Sequence, residues 1–404
     1  MQESSTKGPE HPSVLQFRQD LETQLRQQVR EAIETVLQVE LTEALGSARH
    51  ERSERRAGYR HGALERTITT AEGPRTLRVP RGRVRDDNGA TKEFRSRLLP
   101  RYARRTRDVD AAILSSYLAG ANTRRIRTAL KPLLGDRHLS KSAVSRIVTR
   151  LKALFATWQT RDLGGERYAV LMLDGFHLKV RLAKRVVAVP ILAALGITET
   201  GQKRLVALQL AASEATTSWS GLLADLQRRG LPAPLLVVTD GHAGLKKALE
   251  AWCSVRVQRC TTHKGRNLAD ACPVHARTEM KRDYHRIIHA DDGLAARAAY
   301  EAFVKKWTSL CPAVARSLDE AGLDLLTFYE FPKTMWKSLR TTNTLENLNR
   351  EFRRRTKTQA SFGTEAAALT LLYGLVAFGQ IVLRRIDGHE RFQAFLAKEW
   401  SQAA

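Results

Sequence analysis

Tyr168-Ala169-Val170-Leu171-Met172-Leu173-Asp174-Gly175 and Leu235-Leu236-Val237-Val238-Thr239-Asp240-Gly241 are the two stretches that decide how this chain folds. Each is an apolar run of strand length closed by Asp-Gly. Downstream of the first, Val186 to Ile197 reads as a second strand. After a turn at Glu199 to Gly201, Arg204 to Ala212 reads as a third. Thr217 to Arg229 has helical spacing and stops at Gly230. Ala243 to Trp252 gives another helix, and Val255 to Gln258 a short fifth strand. Three consecutive strands, then helix, strand, helix, strand, specify a mixed α/β sheet.

That order is the order of the ribonuclease-H-like nuclease fold. The aspartates are 66 residues apart (240 − 174), yet adjacent strand ends in such a sheet bring distant positions together. Two carboxylates brought close repel, and a divalent cation resolves the conflict. A few hard oxygen ligands suit Mg2+, with Mn2+ as its substitute. Two such ions can activate water or a 3′-hydroxyl for attack on a phosphodiester. An Asp-Gly pair after a strand is also an ordinary turn; two of them, at strands one and four of this order, favour the chemical reading.

A third acid is expected from a helix, and Thr344 to about Lys357 is the candidate. Leu345, Leu348 and Phe352 make an apolar face, with Glu346, Asn349, Arg350 and Arg353 beside it. A carboxylate next to arginines suits a site that holds metal and a DNA phosphate together. Asn343 followed three residues later by Glu346 equally resembles a capping box, so two readings of Glu346 stand. Cys260 and His263 form a Cys-x-x-His pair. Zinc would need about four ligands, which Cys253, Cys272 and His275 could complete; bracing of the active site is the preferred reading.

The chain has 404 residues, with 67 Lys and Arg against 42 Asp and Glu, a formal net charge of +25. Such an excess calls for a polyanionic partner, nucleic acid before an anionic membrane surface. A hydrophobic fraction of 43% supports real cores and excludes a disordered basic tail. Met1 to Glu10 is polar, with no signal-peptide pattern. Four cysteines suggest no disulfide framework and fit a reducing cytoplasm. Ala366 to Leu383 is the longest apolar stretch; Gly374, Gly379 and Gln380 within it favour a buried helix over a membrane span.

Upstream, Val14, Phe17, Leu21, Leu25, Val29, Ile33, Leu37 and Leu41 recur at helical spacing, and Gly46 stops the helix. So narrow a stripe needs a partner, either the chain's own core or a second copy. Arg49 to Arg107 carries 18 Lys and Arg against 7 Asp and Glu. Short β-like pieces, Thr67 to Thr70 and Thr76 to Val79, are broken by Gly73, Pro74, Pro80, Gly82 and Gly89, which suits a DNA-tracking arm. Helices near Val109 to Ala119, over Thr123 to Leu134 and from Ser140 onward surround a turn with Gly135, the helix-turn-helix pattern. Lys141, Ser145, Arg146 and Arg150 would face DNA from the last helix, and Arg124 and Arg125 from the one before.

Taken together these residues resemble the bacterial Mutator-type transposases. The resemblance rests on Leu173-Asp174-Gly175 with Lys179-Val180-Arg181, Thr239-Asp240-Gly241-His242-Ala243-Gly244-Leu245, and Gln258-Arg259-Cys260 with His263, Arg266 and Asn267. It continues in Thr341-Thr342-Asn343 with Glu346, Asn349 and Arg353-Arg354-Arg355. Gly58-Tyr59-Arg60, Leu77-Arg78-Val79-Pro80, Ser140-Lys141-Ser142 with Val144-Ser145-Arg146, and Trp219 with Arg229-Gly230-Leu231 also match. Gly363 stands where the pattern leads one to expect proline. The resemblance implies a DDE triad on Asp174, Asp240 and Glu346. It also implies a ribonuclease-H-like core with an all-helical insertion before the glutamate, recognition of terminal inverted repeats, and action as a dimer or larger homo-oligomer on double-stranded DNA.

The expected organisation is a long helix over residues 1–48, a basic arm over 49–107 and a helix-turn-helix domain over 108–160. The catalytic core follows in two parts, 165–263 and 336–404, around an insertion over 264–335. DNA contacts are expected from Arg350, Arg353, Arg354 and Arg355 as well. A transposase-derived repressor without activity and a structure-specific nuclease of the same fold are the competing readings.

Overall fold

The computed structural model describes residues 12–403, apart from residues 55, 87–88, 122, 135–140, 183–184, 251, 253–254 and 358–363. The chain divides into two compact units: residues 1–117 with 122–147, and residues 118–121 with 148–404.

In the first unit, α1 (Pro12–Leu45) is the long helix that the stripe predicts, and Gly46 ends it at φ 64°. The stripe is divided in use. Leu37 packs with Ile68, Leu77 and Leu99, while Phe17, Leu21 and Leu25 are exposed. The basic arm departs from expectation. Its two short β-like pieces belong to 13-residue strands, β1 (Gly58–Thr70) and β2 (Gly73–Arg85), paired antiparallel, with β3 (Thr91–Glu93) on the far side of β2. The glycines and prolines do not interrupt them. Gly73, at φ 103°, makes the hairpin turn; Pro80 pairs with Ala63 beside a register shift; and Gly82 leaves room for Leu41, whose Cδ1 a Cβ would meet at 2.6 Å.

Next come α2 (Arg107–Leu118), α3 (Thr123–Ala129), α4 (Lys131–Leu134) and α5 (Lys141–Thr160). The helix expected over Thr123 to Leu134 is thus two short ones. Gly135 and Ser140, the expected turn and cap, lie outside the described residues. Val144, Ile147, Leu151 and Phe155 form the buried face of α5.

The second unit is built on a five-stranded sheet. β4 (Tyr168–Leu182), β5 (Arg185–Thr198) and β6 (Lys203–Leu210) form an antiparallel meander. After α6 (Thr216–Arg228), β7 (Leu236–Thr239) lies parallel to β4; after α7 (Ala243–Leu249), β8 (Arg256–Arg259) lies parallel to β7. The spatial order is β6-β5-β4-β7-β8, the mixed sheet that the sequence specifies. α6 and α7 supply Trp219, Leu222, Leu226 and Leu245 to a core with Leu171, Leu173, Leu192 and Val237. β4 runs eight residues past Asp174, so Asp174-Gly175 is not a turn. The carboxylate sits where parallel pairing with β7 ends and pairing with β5 continues.

Beyond β8 the described chain is helical as far as Leu339: α8 (Thr261–Ala271), α9 (Arg277–Ile288), α10 (Gly293–Leu310), α11 (Pro312–Ala321), short 3-10 turns and α12 (Trp336–Leu339). Leu268, Met280, Tyr284, Ile287, Phe303, Trp307 and Leu318 give this layer its own core. α13 (Asn343–Lys357), α14 (Glu365–Ala377) and α15 (Phe392–Ala403) complete the unit. Of the apolar stretch only Ala366 to Ala377 is helical, as the largely buried α14; the chain then leaves the helix and exposes Phe378 and Val382, and no helix among the described residues is long and apolar enough to cross a membrane.

Candidate active site

Strand register builds the site. The last parallel pairs are Leu173 with Thr239 and Thr239 with Arg259. The next residues along the three strands are Asp174, Asp240 and Cys260, so one row at the end of the sheet carries two carboxylates and a thiol. Each position follows from β-sheet geometry once the apolar runs are aligned.

The Asp240 loop is tightly fixed. Asp240 Oδ1 accepts from the His242 N–H at 2.9 Å, and Thr239 Oγ1 accepts from the Gly241 N–H at 2.9 Å. Gly241 has φ 76°, and a Cβ there would lie 0.9 Å from Nη1 of Arg259. The loop therefore needs glycine twice over, for its backbone conformation and for the guanidinium packed against it. Arg259 is itself buried, 3.8 Å from Glu320, and its Nε and Nη1 have no hydrogen-bond partner among the described residues.

The helical layer brings in the rest. Gln258, fully buried, donates to Leu325 O at 3.0 Å and accepts from the Phe328 N–H at 2.7 Å. Buried Lys264 joins α8 to α11 through Ser317 O and Glu320. Where the chain returns, the Thr261 N–H donates to Arg340 O at 2.9 Å. Cys260 Sγ then accepts from the N–H and hydroxyl of Thr342, at 3.3 and 3.4 Å, immediately before α13. These bonds set the start of α13 beside the sheet end.

α13 presents Glu346 and Asn349 to the site. Asn349 was expected on a polar face beside the arginines; it is buried and donates through Nδ2 to Asp174 Oδ2 at 2.9 Å. Glu346 lies 3.4 Å from both His263 Nε2 and Arg266 Nη2. The capping-box reading fails here, because the residue ahead of α13 is Thr342, whose N–H is bonded to Cys260 Sγ. Among the described residues Glu346 Oε1, the atom that faces His263 Nε2, and Asn349 Oδ1 are buried without a hydrogen bond.

The electrostatics are those of crowded acids. Burial, then the charge of Asp240, and also those of Glu346 and Glu214, push the Asp174 carboxyl up to about 7, with His263 opposing them. His263 is held above its ordinary value by its hydrogen bond with Cys260 and by the charges of Glu346 and Asp240, against the effect of burial. Burial pushes the Cys260 thiol up, but hydrogen bonds with His263 and Thr342 outweigh it and the net shift is downward. The ligand atoms of Cys260, His263 and Glu346 lie within 4.8 Å of one another, and among the described residues Cys272 and His275 do not join that group. Cys253 lies outside the described residues.

The expected DNA-contacting residues fall in several places. Arg124, Arg125, Ser145, Arg146 and Arg150 are exposed in the first unit and on α5. The side chain of Lys141 lies outside the described residues. On α13, Arg350 and Arg353 are exposed, Arg354 pairs with Glu351 at 2.7 Å, and half-buried Arg355 donates to Gln380 O at 3.3 Å. Gly363 is outside the described residues. Glu214, in the link between β6 and α6, is the last of the charges that raise the Asp174 carboxyl, and sequence reasoning did not pick it out. A single acid ahead of a helix reads as ordinary helix-end chemistry, and nothing in the sequence ties it to Asp174.

The family model described as "Transposase, Mutator family" matches residues 4–379. The transposase for insertion sequence element ISRM5 of Rhizobium meliloti (strain 1021) is 34% identical over 352 residues, 87% of this chain and 86% of that protein. The transposase for insertion sequence element IS905 of Lactococcus lactis subsp. lactis (strain IL1403) is 34% identical over 360 residues, 88% of each. The transposase for insertion sequence element IS256 in transposon Tn4001 of Staphylococcus aureus is 30% identical over 338 residues, 82% of this chain and 83% of that protein.

Proposed function

Because this chain belongs to the Mutator family of transposases, we propose that it cuts and joins DNA by divalent-metal-dependent hydrolysis and transesterification, with Asp174, Asp240 and Glu346 as the acids that hold the metal. The observation that carries this reading is Asp174 itself. It is a buried carboxyl flanked by like charges, oriented by a hydrogen bond from Asn349, and next in register to Asp240. Burying acids against one another is costly unless a cation joins them. Asn349 Oδ1, buried without a hydrogen bond among the described residues, and Glu346, held only by long 3.4 Å contacts, fit such an ion, and the carboxylate donors are hard, as Mg2+ or Mn2+ prefers. The strand order supports a ribonuclease-H-like core, and the helices between β8 and α13 support an insertion within it.

The residues divide the work. Asn349 holds Asp174 through one carboxylate oxygen. Thr239 and His242 fix the Asp240 loop. His263 and Arg266 orient Glu346, and Cys260 secures the start of the helix that carries it. Arg350 and Arg353, exposed on that helix, are placed for a DNA phosphate. When bound, the ions supply the Lewis acidity that activates water or a 3′-hydroxyl and stabilises the departing oxygen. Recognition of the element's terminal inverted repeats falls to α3 and α5, through Arg124, Arg125, Lys141, Ser145, Arg146 and Arg150. The exposed half of the α1 stripe suits a second copy of the chain, since two ends must be handled together.

The test is cleavage of labelled element ends with Mg2+ and with chelator. Wild type should nick and join the ends only with the metal. Glu346→Gln should bind the ends and cut neither strand. An active Glu346→Gln protein would remove Glu346 from the site. Cutting without dependence on end sequence, and without joining, would favour a structure-specific nuclease.

A further inference from the structure

In the first unit, α1 and β2 each turn a face toward the other, and both faces change character at the same level. On α1, Leu41, Leu37 and Ile33 are the apolar residues that meet the hairpin. Three or four residues at a time toward the N-terminus, that face continues as Arg30, then Gln27 and Arg26, then Thr23. On β2, Val79 and Leu77 pack with Leu37 and Ile33, and the next residue on their face toward the hairpin turn is Arg75. Where the core would continue there is instead a cleft of about 500 Å3, walled in part by Thr23, Arg26, Gln27, Arg30, Pro74 and Arg75. Among the described residues no acid lines it.

The three guanidinium groups are poorly matched by neighbouring acids. Arg26 lies 3.3 Å from Glu22, with both side chains exposed. Arg30 lies 3.7 Å from Glu34, whose Oε1 also accepts from the Arg78 N–H at 2.8 Å. Ion pairs so open to water hold weakly. Half-buried Arg75 donates from Nη1 to Pro74 O at 2.6 Å and from Nη2 to Glu72 O at 2.5 Å, which pins its guanidinium at the cleft wall. Its Nε is buried without a hydrogen-bond partner among the described residues. Burial, then the charge of Arg26, hold the Arg75 guanidinium below its ordinary value, with Glu72 opposing them. Cations that the fold keeps together invite an anion, and planar N–H forks match the oxygens of a phosphate. Exposed Phe17, Leu21 and Leu25 lie on the opposite face of α1, so a second copy on that stripe would leave the cleft open.

We propose that this cleft seats a backbone phosphate of the transposase's DNA, gripped by Arg26, Arg30 and Arg75. This rests on DNA as the partner and is independent of the metal site, so the two can fail separately. The contact reads no bases. It fixes where the first unit sits along the duplex and leaves sequence recognition to other residues.

The test is the salt dependence of binding by full-length protein in chelator, to an element-end duplex and to a random duplex of equal length. The variant Arg26→Gln with Arg30→Gln should weaken binding to both duplexes alike, by about 10-fold, and lower the slope of log affinity against log salt by about 1. Its melting temperature should stay that of wild type, since glutamine suits a helix and the lost ion pairs are weak. Arg26→Lys with Arg30→Lys keeps the charge and should recover the slope. An unchanged slope in the glutamine variant, or a loss confined to the element end, would overturn the assignment. So would an equal fall in slope from Arg297→Gln, an exposed helix arginine with the same kind of acid pair, because the effect would then count net charge alone. Wild type that binds neither duplex would bring down DNA as the partner, and the assignment with it.

Discussion

The β1–β2 hairpin of the first unit and the sheet end of the second are both dense in charge, and they treat it in opposite ways. In the hairpin, arginines are satisfied by their own chain. Arg66 donates to Pro100 O and Ala103 O at 3.1 and 2.7 Å, and Arg60 to Gln38 and Thr42 at 3.1 and 2.7 Å. At the sheet end, burial and neighbouring acids raise the Asp174 carboxyl, and among the described residues Asn349 Oδ1 is left without a hydrogen bond. Charge that is satisfied supports structure; charge held in conflict awaits a ligand. A run of arginines is therefore weaker evidence for DNA contact than it looks from the sequence, and two crowded aspartates are stronger evidence for a metal.

The sharpest way to break this contrast is Gly241→Ala, which puts a Cβ into the Arg259 guanidinium at a position with φ 76°. Cleavage should fall below detection and the melting temperature should drop. A fully active Gly241→Ala protein would mean that the Asp240 loop need not be held as it is.

The conflict at the sheet end also predicts a pH dependence. The folded-state value for Asp174, about 7, lies above the ordinary carboxylate value of 3.8. Below that ordinary value the carboxyl is protonated in both folded and unfolded chains. As the pH rises toward 7 the unfolded chain ionises more readily, so the folded state loses ground. Metal-free protein should melt lower at pH 8 than at pH 5, by an amount on the order of a few kcal/mol of stability, and Asp174→Asn should flatten the difference. Equal slopes for the two proteins would show that Asp174 carries no such strain.

Two arginines separate structure from recognition. Arg66→Ala should cost stability, on the order of 1–3 kcal/mol for the carbonyls left unbonded. Arg146→Ala should leave melting unchanged yet lose about 1–3 kcal/mol of preference for the element's ends over random DNA. Equal loss on both DNAs would make Arg146 a phosphate contact only. The smallest effect is expected from Cys260→Ser, about 1 kcal/mol of stability for two weakened bonds from Thr342, with no metal released. Stoichiometric zinc in the wild type, lost in this variant, would turn the bracing pair into a zinc site.

The sheet was legible because apolar runs of strand length alternate with helical periods, and parallel pairing then forces Asp174 and Asp240 together. What lay hidden depended on packing between distant segments. Gly175 reads as a turn until β4 is seen to continue past it, and Gly73, Pro80 and Gly82 read as breaks until they become a hairpin turn, a bulge partner and a helix crossing. Glu346 resembled a cap because its helix start could not be placed to the residue; Thr342 bonded to Cys260 decides it. Asn349 left no periodic signal of its role, since it reaches Asp174 from a helix whose approach only the folded chain defines.

The most direct test of the account compares binding with cutting in Asp240→Asn at equal occupancy of a labelled element end with Mg2+ present. Asparagine keeps the size of the side chain and removes one hard anionic ligand, while the phosphate contacts of a chain with net charge +25 remain. The account predicts end binding close to wild type and no detectable cleavage of either strand. Cleavage by Asp240→Asn at a rate near that of wild type would contradict it.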